Sequence, residues 1–211
     1  MAKEHQTTEV VLVHGLWFGR WSMAPLARRL RRAGFQTRSF AYSTTRHDLE
    51  RQVEKLYRFA CSPGSRLPHF VAHSMGGLIT LKMLENHPQT PSGRVVLMGS
   101  PLAGSSVAKR VSRWPAVRTL FGTAEATLIG GVRGWPNNRE IGMIAGTRSL
   151  GLGLVAGSAG QKSDGTVLAE ESRHDGLDDH IEIPATHTTM LLSAEVARQA
   201  IMFLRAGRFD R

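Results

Sequence analysis

The sequence predicts an α/β protein: a mostly parallel sheet of about six strands with helices on both faces. Three observations carry this. Short apolar runs alternate with amphipathic stretches along most of the 211 residues. The amphipathic stretches repeat their apolar positions at helical spacing. Glycine or proline stands where several of them should stop.

Taken in order, Glu9–His14 (EVVLVH) is a run of the buried-strand type. In MAPLARRLRRAG, Leu26, Leu30 and Ala33 fall on one helical face, and Gly34 ends the helix. Phe35–Tyr42 alternates as a second strand. DLERQVEKLYRFA places Leu49, Val53, Leu56 and Phe59 together with charges opposite. His69–His73 (HFVAH) is a third strand, followed by the helix MGGLITLKMLENH, which Pro88 stops. Arg94–Gly99, Glu140–Gly146 and His180–Thr186 read as strands four to six. SAEVARQAIMFLRAG closes the chain as an amphipathic helix with Ser193 as its cap. No internal repeat or linker divides this pattern, so 1–211 reads as one domain. Residues 101–139 are too long for a plain crossover and read as an inserted cap. Residues 147–179 form a second, glycine-rich excursion. Such excursions at the carboxyl ends of parallel strands are where ligands bind.

Composition narrows the function classes. A single cysteine, Cys61, excludes an internal disulfide and any multi-cysteine metal site. The N-terminal stretch has no apolar run of signal-peptide length, and no segment approaches 18 uninterrupted apolar residues. The expected location is therefore cytoplasmic. A net charge of +10 admits anionic partners or simply arginine-rich solvated faces. No nucleic-acid motif accompanies it.

The chemistry centres on VAHSMGG, Val71–Gly77. Serine commonly caps a helix with its hydroxyl, but Ser74 sits where an apolar strand meets a helix. That is the context of a nucleophile elbow, whose sharp turn needs small residues two before and two after the serine. Ala72 and Gly76 meet that need. The pentapeptide alone is weak: Ala156-Gly157-Ser158-Ala159-Gly160 fits it too, but a turn follows rather than a helix. The neighbouring GLGLVAG resembles a dinucleotide loop, yet it opens no helix.

A serine nucleophile needs a base, an orienting acid and oxyanion donors, with the acid and then the base downstream. Of the late histidines, His187 follows the sixth strand and shares the carboxyl edge with Ser74. His180 begins that strand and belongs to the opposite edge. Asp164, in the loop after the fifth strand, is the candidate acid; Asp175 is held in reserve, and an Asp-Gly pair can also be an ordinary turn. The N–H groups of Leu16 and Met75 are the candidate oxyanion donors, and His14 is expected to brace the first of these loops.

Together VLVHGLW, VAHSMGG, VVLMGSPLAGS, SDGTV and ATHTTML, spread from residue 10 to residue 191, resemble the α/β-hydrolases, in particular small bacterial lipases and esterases. The resemblance implies Ser74, Asp164 and His187 as a catalytic triad, Leu16 and Met75 as oxyanion donors, a sheet of about six strands as in minimal lipases, and no cofactor. Alanine at position 72, where glycine is usual, is a departure from the family's pattern.

The expected activity is cleavage of carboxylic esters of small acyl substrates. A thioesterase or acyltransferase would use the same parts, and a non-catalytic scaffold binding lipid or protein through its basic surface is the rival of another class. In the 101–139 excursion, Trp114, Val117, Leu120, Phe121, Leu128, Ile129, Val132 and Trp135, with Trp17 opposite, could line an acyl pocket; those of the excursion could equally be the core of a small helical cap. Six basic residues from Lys109 to Arg139 against Glu125 would suit an anionic lipid surface or an anionic substrate. Asp175, Asp178, Asp179 and His180 cluster in sequence but match no defined metal-ligand spacing, and no metal is expected.

Overall fold

The computed structural model describes residues 9–43, 48–61, 68–89, 93–136, 139–150 and 160–211. Six strands, β1 (Glu9–Val13), β2 (Gln36–Phe40), β3 (His69–His73), β4 (Val95–Met98), β5 (Ile141–Gly146) and β6 (Asp179–Ile183), form one sheet in the order β2-β1-β3-β4-β5-β6. Every neighbouring pair is parallel. The sixth strand stops at Ile183, three residues short of the expected Thr186, because the Ala185 N–H turns back to the Ile183 carbonyl at 2.7 Å instead of reaching β5.

The central strands are buried on both faces. Val10 and Leu12 belong to one apolar cluster, and Val11 and Val13 to the other, as the two-residue period of a strand requires. On the first face lie α1 (Ala24–Arg32), which follows a 3-10 turn at Arg20–Met23, and, at the far end of the chain, the last helix. On the second face lie α2 (Leu49–Ala60) and α3 (Met75–Asn86). Asp48 caps α2 by accepting the Arg51 N–H at 3.0 Å. The first turns of α3 are buried all round, since Met75–Leu81 are apolar, small or Thr80 on every side.

The 101–139 segment winds into three short helices, α4 (Ser106–Val111), α5 (Pro115–Phe121) and α6 (Ala124–Gly130). The chain ends in α7 (Ala194–Ala206), where Ser193 accepts the Val196 N–H at 3.2 Å as the cap expected of it. The chain passes from β1 outward to β2, then returns across β1 to β3. The loops leaving β1 and β3 therefore diverge and leave a crevice at the carboxyl edge. Among the described residues no helix is long and apolar enough to cross a membrane.

Candidate active site

Ser74 sits in that crevice at the tip of β3. Its backbone has φ 55° and ψ −127°, a conformation that L-residues avoid. The fully buried β3 before it and the buried start of α3 after it force the turn. The Ser74 N–H is tied to the Met98 carbonyl at 2.9 Å. Small neighbours make this turn possible. A Cβ at Gly76 would lie 2.5 Å from the His14 carbonyl oxygen, and one at Gly77 would lie 2.1 Å from Ser100 Oγ. Ala72 is wholly buried between β1 and β4. The serine starts α3, but its hydroxyl makes no capping bond.

That hydroxyl meets His187 Nε2 at 2.9 Å instead, and His187 Nδ1 meets Asp164 Oδ2 at 2.7 Å. A carboxylate oxygen can only accept, so Nδ1 carries the proton and Nε2 presents its lone pair to the Ser74 O–H. Asp164 Oδ1 accepts the N–H groups of Thr166 and Val167 at 2.9 and 2.8 Å, which fixes the carboxylate plane. The His187 N–H donates to the Asp164 carbonyl at 2.8 Å, holding the two loops together. All three side chains are buried. Asp175, the reserve acid, is exposed, and His180 stands at the start of β6, hydrogen-bonded to Ser172. The serine of the second pentapeptide, Ser158, and the GLGLVAG run lie outside the described residues.

The loop after β1 runs against Ser74: a Cβ at Gly15 would lie 2.9 Å from Ser74 Cβ. Among the described residues, the N–H groups of Leu16 and Met75 meet no backbone acceptor. This loop is braced as expected of His14. Its Nδ1 donates to the Gly15 carbonyl at 3.0 Å, its ring stacks on Tyr42 at 4.3 Å, and the Tyr42 hydroxyl donates to the His14 carbonyl at 2.6 Å. Burial lowers the His14 pKa and raises that of Tyr42, so both stay neutral near pH 7.

Several supporting residues have no sequence signal of their own. His73 is fully buried, and its Nε2–H donates to the His187 carbonyl at 2.9 Å. Burial first, and the neighbouring His187 second, hold its pKa well below 6.5. Gly99, at φ 56°, lets the end of β4 pass beneath the Asp164–His187 pair, where a Cβ would fall 2.9 Å from Asp164 Oδ2. Glu171 is a third. Its carboxylate accepts the N–H groups of Ser106 and Leu168, joining the start of α4 to the loop that carries Asp164.

Ser74 and His187 open onto a cavity of about 250 Å³. Leu16, Trp17 and Phe18 form one wall, and Phe121, Leu128 and Val167 another. The pocket candidates of the 101–139 segment therefore divide. Phe121 and Leu128 line the cavity. Ile129, Val132 and Trp135 pack on the core beside it, and the Trp135 ring also lies 4.4 Å from that of His174, tilted by 36°. Trp114 and Leu120 point outward, 57% and 60% exposed. The expectation that Trp114, Leu120 and Trp135 line the pocket is thus corrected: among the described side chains of α5 Phe121 is the buried one, with Leu120 and the preceding Trp114 exposed, and Trp135 packs on the core. The Val117 side chain lies outside the described residues.

Among the described residues no three metal-ligating side chains converge. Asp178 accepts the Ile141 N–H at 2.7 Å, and Asp179 accepts those of His180 and Phe209, both at 2.8 Å. These carboxylates fasten the starts of β5 and β6 and the C-terminal tail.

The sequence profile of the alpha/beta hydrolase family matches residues 10–198. No curated protein matches the chain in sequence. Among solved structures, the mature form of the lipase BlEst2 from Bacillus licheniformis superimposes with a TM-score of 0.78 at 18% identity, covering 98% of this chain and 94% of that one. The metagenomic carboxyl esterase MGS0156 gives 0.69 at 17% identity over 97% and 76% of the two chains. Polyneuridine aldehyde esterase gives 0.64 at 15%, over 95% and 100%. At these identities the likeness is one of fold.

Proposed function

The chain belongs to the alpha/beta hydrolase family, and from that premise we propose that it is a serine hydrolase cleaving carboxylic esters through an acyl-enzyme. The observation that carries this is the unbroken hydrogen-bonded chain from Ser74 Oγ through His187 to Asp164, at the head of an apolar cavity. The names of the similar structures, a lipase and two esterases, point the same way.

In this mechanism His187 Nε2 takes the Ser74 proton as Oγ attacks the ester carbonyl carbon. Asp164 holds the ring in the required tautomer and stabilises the imidazolium. The carbonyl oxygen, now negative, receives the N–H groups of Leu16 and Met75, each worth on the order of 3 kcal/mol in the transition state. Collapse expels the alcohol, which takes the proton from His187, and leaves the acyl group on Ser74. Water, deprotonated by the same histidine, then attacks the acyl carbon and releases the acid. The acyl chain occupies the cavity, whose lining offers mostly apolar contacts.

A fluorophosphonate probe tests this directly. It is expected to label the folded protein and to fail on Ser74→Ala; an unlabelled wild type would sink the proposal. A thioester or an acyl acceptor other than water would use the same steps, and turnover of matched p-nitrophenyl ester and thioester substrates separates them.

A second observation extends the reading to a lipid surface. Trp114 and Leu120 are exposed, and Lys109, Arg110 and Arg113 belong to the same segment, all on or next to α4 and α5. Exposed apolar side chains together with cations in one segment fit an anionic interface. Cosedimentation with phosphatidylglycerol vesicles but not with phosphatidylcholine vesicles is expected; equal behaviour with both would remove this extension.

A further inference from the structure

Among the described residues only two that are not glycine have a positive φ: Ser74, and Trp17 at 60°. Trp17 immediately follows Leu16, whose N–H is assigned above to the oxyanion. It is 51% exposed, so burial does not hold it in that conformation. Contacts to α5 tie it down instead. Its indole Nε1–H donates to the Leu120 carbonyl at 2.9 Å, and its ring lies 5.2 Å from that of Phe121. Phe121 is buried and forms part of the cavity wall, as does Trp17 itself. A strained backbone beside an oxyanion donor is thus fastened to a seven-residue helix whose inward side chain would touch the acyl chain.

We propose that Trp17 is a positioning residue that couples filling of the cavity by the acyl chain to the aim of the Leu16 N–H. This rests on the serine esterase reading and deepens it. A chain long enough to press on Phe121 fixes α5. The Leu120 carbonyl then fixes the indole, and the indole holds the backbone turn that directs Leu16. A short acyl group leaves Phe121 unsupported and the oxyanion loop free to relax. The preferred substrates are therefore esters whose acyl chain is long enough to reach Phe121 across the cavity.

The coupling makes a demand that simple pocket filling does not. Extra methylenes that only improve binding lower KM, whereas methylenes that also improve the oxyanion geometry raise kcat. The experiment is steady-state hydrolysis of p-nitrophenyl acetate, butyrate, hexanoate, octanoate and decanoate by wild type, Trp17→Ala, Trp17→Phe and Ser74→Ala. Enzyme concentration is set by active-site titration, so that loss of folded protein does not enter kcat. In the wild type, kcat is expected to rise about 10-fold from acetate to octanoate and then level off. In Trp17→Ala, the rise in kcat from acetate to octanoate is expected to disappear, with kcat for octanoate falling by at least that factor. Trp17→Phe keeps a ring against Phe121 and loses the donor, and should fall in between.

A wild-type kcat that is flat with chain length overturns the coupling, as does a Trp17→Ala enzyme that changes only KM. A Trp17→Phe enzyme identical to wild type overturns the role of the indole hydrogen bond. Absence of any Ser74-dependent hydrolysis across the series would instead remove the esterase reading, and this inference with it.

Discussion

Ser74 and Trp17 share an unfavourable backbone geometry and are held in it by opposite means. Ser74 is over-determined. A fully buried strand enters it, a buried helix leaves it, its N–H is bonded to β4, and glycines at 76 and 77 admit neighbouring strands at distances no side chain would tolerate. Trp17 stands half exposed, and the contacts that fasten it to the periphery include a hydrogen bond to the Leu120 carbonyl and a ring contact to Phe121. Strain of this kind costs on the order of 1–3 kcal/mol and persists only where something else enforces it. At Ser74 the enforcing agent is the core, and the geometry is constant. At Trp17 it is a short helix that can yield, so the geometry can respond to what lies against that helix.

The comparison can be broken most decisively at Asp164. Asp164→Asn leaves the elbow packed as it is but removes the acceptor that fixes the His187 tautomer, so kcat should fall about 10⁴-fold with an unchanged unfolding midpoint. A loss under 10-fold in ester hydrolysis would show that this hydrogen bond does not orient the histidine.

Gly76→Ala attacks the enforcement itself. Its Cβ would meet backbone oxygens at 2.5 and 2.7 Å, and backbone cannot swing aside, so stability should fall by about 3 kcal/mol in urea unfolding. Wild-type stability in this variant would show that the elbow is not rigidly clamped.

Acid sharpens the contrast further. His73 and His14 are buried close to the elbow with pKa values held below 6.5, chiefly by desolvation. Below about pH 6.5 the unfolded chain binds protons that the folded chain refuses, so stability declines as pH falls. The slope is at most about 1.4 kcal/mol per pH unit for each group, reached only between its folded-state and unfolded-state pKa values. His73→Asn should flatten the urea-midpoint profile between pH 6.5 and 5; an unaltered slope would contradict the assignment.

The smallest effect compares glycine with alanine at the two strained sites. Ser74→Gly and Ser74→Ala both lack the hydroxyl, but only glycine tolerates the φ of 55°. The glycine variant should be more stable by about 1 kcal/mol, reversing the usual order of these residues. At Trp17 the same pair should differ less, because loss of the indole removes its ties to α5 and lets the half-exposed backbone relax more readily than the buried elbow. Equal differences at both sites would show Trp17 to be as rigidly held as Ser74.

Much of this was legible in one dimension. Strand and helix positions follow from periods of two and 3.6, and the cap at Ser193 from its side chain, all local signals. His187 could be chosen over His180 because a parallel sheet puts all strand ends of one kind on one edge, whereas Asp164 was preferred to Asp175 only as the loop residue after the fifth strand. The α4–α6 segment was legible only as an interruption. Its apolar residues are spaced ambiguously, and whether each faces cavity, core or water depends on what α5 and α6 pack against. Trp135 was lost to the pocket because His174, distant in sequence, offers it a face.

By itself, then, the sequence determined the α/β class, the six strands, the strand–serine–helix turn and the order serine, aspartate, histidine along the chain, since each depends on residues within a few positions of one another or on the direction of a parallel strand. The tertiary structure alone decided the strand order that opens the crevice, the passage of Gly99 beneath the Asp164–His187 pair, the bond from His73 to the His187 carbonyl and the fastening of Trp17 to Leu120. These contacts join residues about 65 to 115 positions apart. No local pattern encodes such pairs, because they exist only once the sheet and its helices have brought distant surfaces within a few ångströms.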